Sequence, residues 1–322
     1  MNRQCLGCYQ PIESSLEGEY HPTCSRALFR QATPPQFGYT EADLQGLGLQ
    51  LLQRGIALTG VQPKLSADVQ PMRGVGGAAA PSRMTIVGLW GEYILKPPTP
   101  NYPHLPELED LTMHLATIAG IRTVPHGLLR MASGNLCYIT RRIDRDRKPN
   151  SKLHLEDMCQ ITGRMTEQKY RGSYEQIGRA IQQHSATPGL DAVNFCELIL
   201  FTLLTGNADM HLKNISLLRQ PGIGNILSPA YDLVATAIVI PNDTEEVALT
   251  LNGKKRRIGR TDVDEFFQRI TLRPSQAQLI YAKFARIVPR WQECIQRSFV
   301  PEPMQVQLMD FIQTRINRFG IA

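Results

Sequence analysis

No apolar run in this chain of 322 residues reaches 18 residues, so nothing in it reads as a membrane-spanning helix and no membrane partner is expected. The first residues lack the basic, apolar, small-residue order of a secretory leader, which makes the cytoplasm the expected location. Neither sign of charge dominates. The 35 basic and 29 acidic residues leave a net charge of +6, enough to suit an anionic ligand such as a nucleotide and too little to demand one. There is no internal repeat, no helix-turn-helix pattern and no basic stripe, which argues against DNA binding by this chain itself. Cysteine is sparse and odd in number, at seven. A reducing compartment disfavours disulfides. Cys137, Cys159, Cys196 and Cys294, each alone in an apolar stretch, read as core thiols.

The other three cysteines cluster near the start. Cys5, Cys8, His21 and Cys24 spell C-x2-C, twelve residues, then H-x2-C. Thiolates and an imidazole suit Zn²⁺, each short pair clipping one side of a tetrahedron. Four unligated residues in a small hairpin is the equal alternative.

The length is great for one core and small for three, which predicts two lobes. Residues 31–40 (QATPPQFGYT) read as a linker, and a helical stretch follows near 41–54. GIALTGVQPKLSADV predicts a turn between two strands. Residues 73–82 form a loop tip of small residues. RMTIVGLWGEYILKPP predicts a hairpin with Lys96 ending its second strand. Leu108, Leu111, Leu115 and Ile118 fall at helical spacing, with Gly120 placed to stop the helix. VPHGLLRMASGNLCYITRRIDR predicts a second hairpin, turning at Ser133–Asn135. Beyond residue 142 the pattern turns helical, in LHLEDMCQITG, SYEQIGRAIQQHS and DAVNFCELILFTLLTG. NISLLRQ and NILSPAYDL are short strands. Ile280, Phe284, Ile287 and Trp291 then line one helix face, with Pro289 a kink. Met304, Leu308, Phe311 and Phe319 line the last helix. The expected fold class is α+β: a small Cys/His segment (1–30), a β-rich N-lobe with one helix (40–142) and a helical C-lobe (143–322). A phosphate-binding cleft is the natural seat of the chemistry.

LLTGNADMHLKN sets a polar knot directly behind an apolar helix. Within it Asp209 and Asn214 are five apart, the Asp-x4-Asn spacing of a protein-kinase catalytic loop. Phosphoryl transfer needs a carboxylate to hold and deprotonate the attacking hydroxyl and an oxygen ligand for Mg²⁺, and one tight loop supplies both. Asp232, eighteen residues after Asn214 and at the end of a predicted strand, is placed to be a second Mg²⁺ ligand. Lys96, ending a strand of the other lobe, would pair with the α/β-phosphates of ATP, and Glu109 on the following helix would hold that lysine. Taken singly each residue has a bland reading, as a helix cap, a turn opener or a surface lysine; their order along the chain is what points to a kinase.

GVQPKL, YILKPP, ELEDLTMHLATIAGI, ITRRIDRD, HLEDMCQITG, GNADMHLKN and SPAYDLVAT resemble the successive signatures of the HipA-type serine/threonine kinases. These are toxins of bacterial toxin–antitoxin systems, with a two-lobed fold similar to protein and phosphoinositide kinases. The resemblance covers roughly residues 40–320. In its short length, and in CLGCYQPI and YHPTC, the chain looks like the split, HipT-like members, whose first subdomain is a separate small protein. The resemblance implies Asp209 as catalytic base, Asn214 and Asp232 as Mg²⁺ ligands, and Lys96 and Glu109 as the phosphate-binding pair. Gly60, Gln62 and Lys64 would form the Gly-rich loop near the ATP phosphates, and TRRIDR would lie near the hinge. Lys213 would offset transition-state charge, and His211 would serve in the catalytic loop or simply pack it. The partners implied are a HipS-like N-subdomain protein, a HipB-like antitoxin that carries any DNA contact, and a protein substrate such as an aminoacyl-tRNA synthetase.

One departure stands out. Where the family's loop carries serines whose phosphorylation shuts the kinase off, this chain has Ala57 and Thr59. Only Thr59 can take a phosphate, whose charge beside the ATP phosphates would expel the loop. Two rival functions remain open on the sequence. One is a small-molecule phosphotransferase, since aminoglycoside-type kinases share the Asp-x4-Asn loop. The other is a non-catalytic pseudokinase in an antitoxin–DNA complex.

Overall fold

The computed structural model of the protein describes residues 3–53, 64–72, 82–88, 90–145, 151–240 and 243–321, with the backbone alone for 51–53. The chain divides into two compact units. Unit 1 comprises Met1–Leu111, Val124–Arg145 and Arg297–Phe299; unit 2 comprises Thr112–Thr123, Asp146–Gln296 and Val300–Ala322.

Unit 1 opens with α1 (Pro22–Phe29), whose first-turn proline has φ already set for a helix and no N–H to leave unbonded. Arg30, at φ 61°, ends it in the left-handed region. α2 (Glu41–Gln53) starts at a reciprocal cap. The Asp43 N–H donates to Thr40 Oγ1 (3.2 Å) and the Thr40 N–H to the Asp43 carboxylate (2.8 Å). β1 (Leu65–Pro71), β2 (Ser82–Ile86) and β3 (Tyr93–Lys96) follow, then α3 (Leu105–Ile118), β4 (His126–Arg130) and β5 (Leu136–Arg141). The five strands make one antiparallel sheet in the order β2-β1-β3-β5-β4. α3 belongs to unit 1 through Leu111 and to unit 2 from Thr112.

β2 and β3 are not the hairpin partners that the sequence predicts. β1 lies between them, pairing with β2 along Ala67–Pro71 and with β3 along Leu65–Ala67. Gly91 shows how the chain achieves this. Its N–H donates to Ser66 Oγ (3.0 Å), and a Cβ there would lie 2.4 Å from the Ala67 carbonyl oxygen. Only glycine lets the segment entering β3 close onto β1. The second predicted hairpin does form, β4 and β5 pairing from Arg130↔Leu136 to His126↔Thr140.

In unit 2, β6 (Leu155–Asp157) leads directly into the one-turn α4 (Met158–Ile161), where the sequence pattern predicts a longer helix. Asp157 decides the boundary. It is in extended backbone, and its side chain caps the Gln160 N–H in a full capping box. α5 (Tyr174–His184) and the long apolar α6 (Pro188–Thr205) follow. α6 is long and apolar enough to cross a membrane, but 67% of it is buried within the protein. β7 (Ser216–Gln220) and β8 (Gly224–Leu227) complete a sheet of order β6-β7-β8. The remaining helices are α7 (Thr236–Val239), α8 (Arg260–Arg269), α9 (Pro274–Arg297) and α10 (Glu302–Arg318). Tyr174, Phe195 and Phe266 meet edge to face in the core, as do Phe201 and Trp291. The Trp291 indole donates to the Leu115 carbonyl (2.9 Å), so this buried ring satisfies its one donor. Cys137, Cys159 and Cys196 are buried as expected. Cys294 is only half-buried, because the apolar face of α9 runs through Trp291 and Ile295 and leaves Cys294 at its margin.

Candidate active site

α6 stops at Gly206, whose φ of 73° suits glycine and closes the helix. The chain then folds the polar knot into a loop held by its own hydrogen bonds. Asn207 Oδ1 accepts the Asp209 N–H (3.1 Å), and the Ala208 N–H donates to Thr236 Oγ1 (2.8 Å). The His211 N–H donates to the Asp209 carbonyl (2.8 Å), and a 3-10 turn (Leu212–Asn214) brings the chain back. Asn214 Nδ2 donates to that same carbonyl (2.9 Å), so the two ends of the Asp-x4-Asn motif are joined directly. With its amide nitrogen so committed, Asn214 has Oδ1 as the atom that could hold a metal.

Asp209 Oδ1 accepts a hydrogen bond from Tyr170 Oη (2.7 Å). Oδ2 accepts none among the described residues and is available to a substrate hydroxyl. Burial, then the hydrogen bond to Asp209, pushes the Tyr170 hydroxyl well above the usual phenol range, so it remains a donor at any physiological pH. Asp232 sits in the left-handed region at φ 59°, a conformation aspartate tolerates better than most residues. Its field reaches both Tyr170 and His211, as does that of Asp209. The neighbouring Tyr231 donates to the Lys213 carbonyl (3.0 Å), tying the segment that carries Asp232 to the loop that carries Asn214. Two carboxylates and an amide oxygen are the kind of hard oxygen donors that could hold Mg²⁺.

His211 is buried, its ring edge-on to Tyr170 at 5.0 Å between centroids. Burial lowers its pKa below 6.5, against the opposing pull of Asp209, so the imidazole is neutral near pH 7. Lys213 has a different commitment from the one that the resemblance implies. Its Nζ pairs with Asp157 Oδ2 at 2.6 Å, pinning the loop to the end of β6. Tyr170, Thr236 and Asp157 are the contributors that motif reading misses. Tyr170 is 39 residues from the aspartate it contacts, and Asp157 is 56 from its lysine, and no local pattern marks either.

Unit 1 carries the other expected pair. Lys96 ends β3 opposite Tyr138, with its ammonium 5.4 Å from that ring's centre. It forms an ion pair with Glu109 Oε1 of α3, and both side chains are buried. Lys64, just ahead of β1, is half-buried. Gly60, Gln62, Ala57 and Thr59 lie outside the described residues. The ligand atoms of Cys5, Cys8, His21 and Cys24 all lie within 4.8 Å of one another.

A buried lysine–glutamate pair on a five-stranded sheet, and an Asp-x4-Asn loop after a buried helix, define a two-lobed α+β fold of the protein-kinase kind. Solved structures agree. HipA of Shewanella oneidensis, in complex with HipB and operator DNA, superimposes with a TM-score of 0.66 at 20% identity, over 89% of this chain and 74% of that one. The Helicobacter pylori proinflammatory kinase CtkA does so with a TM-score of 0.52 at 16% identity, over 79% and 94%. The profile of the HipA-like C-terminal domain matches residues 56–291, and the chain belongs to that family. The candidate kinase Y4dM of Sinorhizobium fredii is 30% identical over 272 residues, 80% of this chain and 63% of its own. The serine/threonine-protein kinase toxin HipA of Shewanella oneidensis is 28% identical over 154 residues, 42% and 35% of the two chains. The chain spans 63% of Y4dM and 49% of the related Y4mE.

Proposed function

We propose that the protein is an ATP- and Mg²⁺-dependent serine/threonine protein kinase, the toxin of a toxin–antitoxin system. The observation that carries this reading is the closed Asp209–Asn214 loop, in which one aspartate oxygen is fixed by Tyr170 and the other is available. Asp209 takes the proton of the attacking hydroxyl. Asn214 Oδ1 and Asp232 hold Mg²⁺, which neutralises phosphate charge when bound. Lys96, kept in place by Glu109, binds the nucleotide phosphates together with the loop bearing Gly60, Gln62 and Lys64. His211, being neutral, shapes the loop rather than supplying charge, and Lys213 holds the loop through Asp157. The protein substrate is a translation component such as an aminoacyl-tRNA synthetase. A HipB-like antitoxin, the kind of partner named for the Shewanella oneidensis complex, carries any DNA contact, and a HipS-like small protein is a further partner.

Incubation of the purified protein with cell extract and γ-labelled ATP tests the reading. A labelled protein band, lost in Asp209→Ala, is the expected result. Label confined to small molecules marks a small-molecule phosphotransferase instead. Growth inhibition that survives Asp209→Ala marks a non-catalytic binding role. On the same reading autoregulation runs through Thr59. Mass spectrometry after incubation with ATP should find phosphate there, and phosphate elsewhere with Thr59 unmodified discards that part.

A further inference from the structure

We propose that Cys5, Cys8, His21 and Cys24 bind one Zn²⁺, and that this ion fixes the N-terminal segment as a brace that sets α3, and with it Glu109, against Lys96. The second half rests on the kinase reading; the metal site and the brace itself do not.

Four ligands on a tetrahedral zinc, with Zn–S near 2.3 Å and Zn–N near 2.0 Å, stand about 3.5–3.8 Å apart. All four ligand atoms lie within 4.8 Å of one another, and Cys8 Sγ is 3.4 Å from His21 Nδ1. The surroundings are arranged for a thiolate centre. The backbone N–H groups of Gly7 and His21 donate to Cys5 Sγ at 3.4 and 3.3 Å, which stabilises negative sulfur. His21 Nε2 lies 3.0 Å from the Pro11 carbonyl. A carbonyl only accepts, so Nε2 bears the proton and the lone pair belongs to Nδ1, the atom that faces Cys8. A disulfide would leave one of the three thiols over and would have no use for that imidazole. The turn itself is specialised. Tyr9, directly after Cys8, adopts φ 61°, and a Cβ on Gly7 would stand 2.7 Å from the Tyr20 ring.

What the clip holds is connected to the lysine–glutamate pair through three buried side chains. Tyr9 Oη donates to Asp110 Oδ2 (2.6 Å). Asp110 Oδ1 is 2.6 Å from His126 Nδ1 on β4. Two residues further along β4, Leu128 exchanges backbone and side-chain bonds with the same segment. Its N–H donates to the Leu6 carbonyl (3.1 Å), and its carbonyl accepts from Tyr20 Oη (2.6 Å). Asp110 is the residue after Glu109, so the segment grips α3 at the turn that carries the lysine's partner. A segment of this size has little core of its own, and a metal is the usual remedy. Tyr9 is therefore a positioning residue, acting on Lys96 only through α3.

The test uses the full chain, purified under reducing conditions with zinc in the growth medium. Elemental analysis should find one zinc per chain, and Co²⁺ exchanged into the site should show the thiolate-to-metal absorption of a Cys₃His centre. Chelation should speed amide hydrogen exchange in residues 105–111 about tenfold, and added zinc should restore it. Tyr9→Phe, which keeps all four ligands, should still bind one zinc yet show the faster exchange. It should also raise KM for ATP more than it lowers kcat. A chain that is metal-free, or Co²⁺ bound without thiolate absorption, overturns the site. Exchange in 105–111 that is the same with and without zinc, or unaltered in Tyr9→Phe, overturns the brace. Both outcomes read independently of phosphotransfer, so an inactive protein with one zinc and a zinc-dependent α3 would sink the kinase reading alone.

Discussion

The buried pair of Lys96 and Glu109 makes the sharpest quantitative prediction. Their side chains are 4% and 0% exposed, so water does little to stabilise either charge and the ion pair contributes much of what does. Removing one partner of a buried pair costs about 3–5 kcal/mol, because the remaining charge loses its compensation. Lys96→Met and Glu109→Gln should each destabilise unit 1 by that amount in urea unfolding at pH 7. The double variant removes both charges and should cost far less than the sum of the two. If each single change costs about 4 kcal/mol and the double variant about the same or less, the coupling between the residues is about 4 kcal/mol. An exposed pair would give roughly 0.2–1 kcal/mol by the same cycle. Urea curves for the four proteins, followed by circular dichroism, supply the measurement. Additivity within about 0.5 kcal/mol would refute the reasoning, since it would mean that the two groups do not sense each other's charge. All three variants should bind ATP more weakly, Glu109→Gln included, although the glutamate's own part is to hold the lysine.

Other expectations concern unit 2. Tyr170→Phe removes the hydrogen bond from Tyr170 that orients the Asp209 carboxylate, and kcat in the labelling assay should fall about tenfold with KM for ATP little changed. His211 has a folded-state pKa below its ordinary 6.5 because burial favours the neutral ring. Its contribution to stability is therefore complete above 6.5 and is lost as pH falls through the folded value. The stability of the wild type relative to His211→Gln should shrink between pH 7.5 and pH 5, measured by urea unfolding at constant salt. Gly206→Ala meets both a left-handed φ of 73° and a Cβ position 2.8 Å from the Phe311 ring. It should destabilise the protein by about 2 kcal/mol or more and loosen the Asp209–Asn214 loop. A thermal midpoint equal to that of the wild type would refute that account.

Some of this protein is written in short windows of sequence. The helical spacing of Leu108, Leu111, Leu115 and Ile118 gives α3, and the turn at Ser133–Asn135 gives the β4–β5 hairpin, because both depend on residues that are neighbours along the chain. The proximity of Asp209 to Asn214, and of the C-x2-C pair to the H-x2-C pair, shows side chains brought together from short, recognisable spacings. Windows fail where a choice is made between distant segments. Alternating residues in β2 and β3 mark two strands but not the intrusion of β1, which Gly91 permits by closing on Ser66 and Ala67. The helical pattern after residue 152 lost to the pairing of Leu155–Asp157 with Leu218–Ser216 and to the cap at Asp157. The attachment of Lys213 to Asp157, of Tyr170 to Asp209 and of Tyr9 to Asp110 spans 56, 39 and 101 residues. Residue type and local period thus determined which groups this chain can offer to phosphate and metal. Which of them are buried, neutral or already paired was decided only by packing, because burial and ion pairing depend on what arrives from elsewhere in the chain.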